Sequence, residues 1–148
     1  MRTFRLLPRA VALGLAAGAR SSLGPGAPLW VDARGNTPRR CLIALAVAGE
    51  ITMDKTPIVP ERTKGPVLVQ RSLGGAWGAA LLARDLNGSI PLAAVAAALA
   101  APVGAVAGVR WRAWWSQGRP AWMGGVIEDA AALALARFAV ADHPHTLR

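Results

Sequence analysis

The chain has a single cysteine, Cys41, so it can form no internal disulfide. Its two histidines, His143 and His145, sit in a polar tail and read as solvated, and no Cys/His cluster has metal-ligand spacing. Charge is scarce: 17% of residues are Asp, Glu, Lys or Arg, against roughly 25% in an average globular chain. Acids are scarcer still, with 8 against 17 basic residues, nearly all of the latter arginine. The usual signatures of catalysis are also missing. No nucleotide-binding glycine loop, G-x-S-x-G elbow, H-E-x-x-H or C-x-x-C occurs, so hydrolase and metalloenzyme readings have no motif and no cofactor is implied.

Apolar residues are abundant, at 53%, and the mean hydropathy is positive. Much of this content is Ala and Gly, which are small and only weakly hydrophobic. A length of 148 residues leaves room for one domain, taken here as a single integral membrane domain over 1–148. The net charge of +9 calls for an anionic partner, either nucleic acid or the headgroups of a lipid bilayer. Abundant Ala with Arg in place of Lys suits a GC-rich genome.

The longest uncharged stretch runs from Leu86 to Val109. As a helix it is about 36 Å long, enough for a hydrocarbon core of about 30 Å. Ser89 is a candidate cap, Pro91 fits the first turn, and Pro102 predicts an internal kink. A second span is expected over 67–84, joined to 89–109 by a tight polar turn that contains Asn87-Gly88. Shorter or charge-bearing segments lie at 10–22, 41–53 and 121–141, and such segments are often broken or re-entrant. After Arg20, the run Ser21-Ser22-Leu23-Gly24-Pro25-Gly26 reads as a helix breaker. The fold expected is all-α, a small polytopic transmembrane bundle of four or five segments.

The N-terminus carries a competing reading. Arg2, Arg5 and Arg9 precede a short apolar run closing in Ala17-Gly18-Ala19, the pattern of a cleaved signal peptide. With five crossings, Arg2, Arg5, Arg9, Lys55, Arg62, Lys64, Arg110, Arg112 and Arg119 fall on the N-terminal side. Arg34, Arg39, Arg40, Arg84 and Arg148 fall opposite. The excess favours a cytoplasmic N-terminus in the cell inner membrane.

Three G-x-x-x-G pairs recur: Gly14/Gly18, Gly74/Gly78 and Gly104/Gly108. Small residues four apart form a groove in which another helix packs closely, within the chain or in a homo-oligomer, although so Gly-rich a chain also produces the spacing by chance. Trp111, Trp114, Trp115 and Trp122 stand among Arg110, Arg112 and Arg119, a mixture suited to the headgroup region. The same set can stack on bases, but its place beside the long span favours lipid over nucleic acid.

Charges inside apolar surroundings are the candidate site. Glu50 and Asp54 share a helix face, with Lys55, Arg62 and Arg71 as possible counter-charges; a cation or phosphate site and simple pairing at helix ends both fit. Glu128 and Asp129 interrupt an apolar run, and each charge at mid-bilayer costs roughly 2.5–3.5 kcal/mol unless it faces the bundle or a partner. Arg20, Lys55, Arg71 and Arg137 are the partners on offer.

Gly18-Ala19-Arg20-Ser21-Ser22, Gly49-Glu50, Asp54-Lys55-Thr56-Pro57, Pro60-Glu61-Arg62, the Gly-rich hairpin and Ile127-Glu128-Asp129-Ala130 follow one another in an order that resembles a bacterial membrane-protein family. That family is domain of unknown function family 4126, and the likeness spans roughly 10–140. It implies a small helical membrane protein without an established activity. Three functions are therefore open: permeation or transport of a small ion or solute, an enzyme acting on a phosphate-bearing lipid, and a structural or assembly role.

Overall fold

In a computed structural model the chain is described over residues 2–53 and 64–141. Six helices occur there and no strand: α1 (Arg2–Ala19), α2 (Leu23–Asp32), α3 (Thr37–Met53), α4 (Gly65–Asp85), α5 (Ile90–Trp115) and α6 (Ala121–Val140). Of these, α5 alone among the described helices is long and apolar enough to cross a membrane by length and composition.

Local chemistry explains most boundaries. Helices α4 and α5 each begin with Pro in the first turn, where the missing N–H is not needed. Ser89 precedes α5 but makes no side-chain cap bond. Between α4 and α5, Asn87 takes a left-handed conformation (φ 50°) and the N–H of Gly88 donates to the Ala83 carbonyl at 2.8 Å. That is a Schellman closure, which satisfies the last carbonyls of α4. Asn36 caps α3, its side-chain oxygen accepting from the Arg39 N–H at 3.0 Å.

The helix over 23–32 lies where the Gly/Pro run predicts a break. Pro25 falls in its first turn, and Gly24 has no Cβ to keep the backbone off Gly74 and Gly78 of α4. Close tertiary packing thus prevails over the poor local propensity of Gly and Pro.

Helix α1 occupies the centre, packed against α4, α5 and α6. Gly14 and Gly18 face the backbone of Ala97, Ala101 and Ala105 on α5, while Gly104 faces Leu15, so α1 and α5 run parallel. Leu6 and Ala10 pack with Leu82, Ala83 and Ala93 at one end, and Ala16 and Ala19 pack with Ala132 and Ala136 of α6. The chain then reverses at Arg20–Ser22. Helix α2 returns beside α4 and α6, and α3 rides on α2 with no fully buried residue. This reversal carries Arg34, Arg39 and Arg40 back to the end that holds Arg5 and Arg84. Five simple crossings would have placed Arg5 at the end opposite Arg34, Arg39, Arg40 and Arg84.

The interior is built from small side chains. Among the described residues, apart from Leu6, Leu13, Leu23 and Leu82, every buried hydrophobic residue is Ala. The large apolar side chains point outward instead, with Leu99 and Trp122 at 70% exposure and Leu42, Leu45, Leu73 and Val103 at 60% or more.

Candidate functional site

The polar centre forms where the end of α1 meets the start of α2. Gly18 lies against Ala101, near the midpoint of α5, whose 26 residues span about 39 Å. Ser21 lies over Gly74, and Arg20 reaches Asp129; each of these partners is about two turns inside its own helix. The turn at Arg20–Ser22 is therefore at mid-height of the bundle and not at its rim.

Three ionised groups close this turn. Arg20, 1% exposed, donates to Asp129 Oδ1 at 2.6 Å. Arg71 on α4 donates to the Gly18 carbonyl at 2.6 Å, placing a cation at the C-terminal end of α1, where the helix dipole favours it. Glu50 on α3 accepts from the Ser21 N–H and hydroxyl through Oε1, and from the Ser22 N–H through Oε2, each at 2.8 Å. A carboxylate thus covers the open amides at the start of α2, the complementary end effect. Alongside, Glu128 pairs with Arg112 of α5, and the absence of a Cβ at Gly108 makes room for the Glu128 carboxylate. Two buried donors, Arg71 Nε and Ser22 Oγ, meet no hydrogen-bond partner among the described residues.

The structure thus brings Glu50, Arg71, Glu128 and Asp129 together. Asp54, Lys55 and Arg62 lie outside the described residues. Arg20, Ser21, Ser22 and Arg112 complete the cluster; Arg112 reads from sequence as a headgroup residue, and only its place opposite Glu128 reveals the pair. Arg137 stands on a different part of α6, beside a cavity shared with α2 and α3. Among the described residues no three His, Cys, Asp or Glu side chains gather as metal ligands.

Apart from Gly108, the paired glycines divide between two contacts. Gly14, Gly18 and Gly104 form the α1–α5 seam, and Gly74 and Gly78 receive Ser21 and Gly24 of the reversing chain. Of the tryptophans, Trp111 and Trp115 donate to the carbonyls of Gly124 and Pro120 at 3.1 and 3.2 Å. Their rings brace the α5–α6 connection, with Arg119 stacked over Trp115 at 4.6 Å. Trp114 and Trp122 remain exposed at that end. Such bracing spends two of the four indole N–H groups on the protein itself.

No family model, curated protein or solved structure matches this chain.

Proposed function

We propose that the chain is a polytopic integral protein of the cytoplasmic membrane that passes a small ion or solute across a charged mid-membrane cluster. The observation that carries this reading is the meeting of two helix ends, α1 and α2, around buried Arg20 and Arg71 and half-buried Glu50 at mid-height. Interrupted helices place backbone dipoles and charges inside a bilayer, and in membrane proteins such sites serve ions and solutes.

The distribution of side chains supports the membrane part. In water a core of Ala with Leu, Val and Trp turned outward is the wrong way round, because burial of large apolar groups drives folding there. In lipid the large groups meet acyl chains, and helices associate through close contact of small residues. Among the described residues, Arg5, Arg34, Arg39, Arg40 and Arg84 stand toward one end against Lys64, Arg110, Arg112 and Arg119 toward the other, and this small excess of basic side chains favours a cytoplasmic N-terminus. The order of motifs resembling domain of unknown function family 4126 belongs to the same proposal. Under it, Ala10–Ala19 stays in the mature protein, since cleavage after Ala19 removes the helix on which α4, α5 and α6 pack.

A structural role is the second reading, favoured because Glu50, Glu128 and Asp129 are all engaged by donors within the bundle. Two measurements separate the possibilities. Tagged protein is expected in the pellet after a high-pH carbonate wash and in the soluble fraction after detergent; release by the wash alone refutes membrane insertion. Purified protein in liposomes is then tested for proton, sodium, chloride and phosphate flux. One of these fluxes is expected above empty vesicles, and Glu50→Gln is expected to lower it at least about tenfold, a barrier change of about 1.4 kcal/mol. Correctly inserted protein without flux supports the structural role instead.

A further inference from the structure

A second site lies away from the charged cluster. Helices α2, α3 and α6 line a half-open cavity of about 620 Å³. Its walls are apolar over most of their length, with Leu23, Ala44, Val47, Ile51 and Leu133 among them. Its other end is ringed by Arg34, Arg40 and Arg137, contributed by the end of α2, the start of α3 and the end of α6. Arg40 lies over the Trp30 ring at 5.0 Å, so its guanidinium is held in place, and its buried Nε has no hydrogen-bond partner among the described residues.

We propose that this cavity is a binding site for one anionic phospholipid, one of its acyl chains along α3 and its phosphate among the three arginines. The inference rests on the membrane reading above. Three guanidinium groups at one mouth recognise a phosphate by charge and by paired N–H donors, and none of the described residues lining the cavity is acidic. The mouth is the arginine-rich end of the bundle, where a cytoplasmic-leaflet headgroup sits. From Arg40 to Ile51 the wall runs about 16 Å along α3, the direction and scale of an acyl chain entering a bilayer.

Native mass spectrometry of the full chain in mild detergent tests the site, with phosphatidylglycerol and phosphatidylcholine of identical acyl chains as probes. One phosphatidylglycerol is expected to stay bound under activation that strips phosphatidylcholine. Arg40→Gln with Arg137→Gln is expected to weaken its retention about tenfold. Ala44→Trp, at an exposed wall position, is expected to exclude it by filling the apolar part while leaving the arginines intact. Equal retention of the two lipids, unchanged retention in both variants, or a lipid-free dimer closing the cavity each overturns the proposal. The carbonate wash on the same samples separates the two failures. Loss of selective binding in protein that stays in the washed pellet removes the lipid site alone, whereas wild-type protein released by the wash removes the membrane reading and this site with it.

Discussion

Gly18→Leu is expected to leave almost no monodisperse protein in mild detergent. At Gly18 any Cβ overlaps the Ala101 carbonyl and crowds the Ala105 N–H, both of them backbone atoms of α5. A flexible side chain yields to such an intrusion by changing rotamer; a helix backbone does not. Overpacking ordinarily costs about 1–3 kcal/mol, and here the cost is expected to exceed that range because separating α1 from α5 is the only relief. The contact is also the spine of the molecule, since α1 simultaneously touches α4 and α6. Gly49→Leu is the matched control. It makes the same chemical change on α3, where nothing lies within 4 Å of the added Cβ, and stability should move by no more than about 0.5 kcal/mol. Size-exclusion profiles and thermal unfolding of the two variants side by side check the contrast. Equal behaviour would mean that the α1–α5 seam is not formed.

Asp129→Asn is expected to be the most damaging change among the acids of α6. It leaves the Arg20 guanidinium, 1% exposed, without the carboxylate that receives its Nη2 at 2.6 Å. Removing one partner of a buried ion pair costs about 3–5 kcal/mol, because the remaining charge stays desolvated. Thermal unfolding in detergent should therefore shift down by on the order of 10 °C. The double change Arg20→Met with Asp129→Leu should recover most of this loss, since it removes both charges and fills the space with apolar atoms. Such recovery without flux would tie Arg20 and Asp129 to transport. Recovery with full flux would make the pair structural and move the functional weight to Glu50 and Arg71.

Sequence alone locates α4, α5 and α6 to within a few residues except at the end of α5. Long uncharged runs and first-turn prolines mark the spans, and Asn87-Gly88 marks the reversal between two of them. The runs stop at Arg110 by composition, yet α5 continues to Trp115 because Trp111, Arg112 and Trp115 all find partners on or next to α6. Helix α2 is illegible for a different reason. Gly24, Pro25, Gly26 and Pro28 all argue against a helix locally, and the contact that favours one, Gly24 on Gly78, is tertiary. The candidate site divides in the same way. Glu50, Arg71, Glu128 and Asp129 stand out as charges within apolar sequence, whereas their partners do not. Arg20 and Asp129 are 109 positions apart, and no local period links them. The role of Ser21 and Ser22 as amide donors to Glu50 is equally hidden, because the same two residues fit a plain helix end.

The central place of α1 sets a problem of timing for the ribosome. The helix that every long neighbour leans on is made first, and the stretch of α5 that receives Gly14 and Gly18 follows about 80 residues later. At about 5–20 residues per second, α1 waits roughly 4–16 s for that surface. Under the proposed membrane insertion, α1 carries Arg5 and Arg9, with Arg20 directly after it, on a short segment rich in Ala that is a poor candidate for settling alone in the hydrocarbon. On that proposal the N-terminal helix finds its place only once α5 is made, and assembly proceeds by later helices drawing in an earlier one.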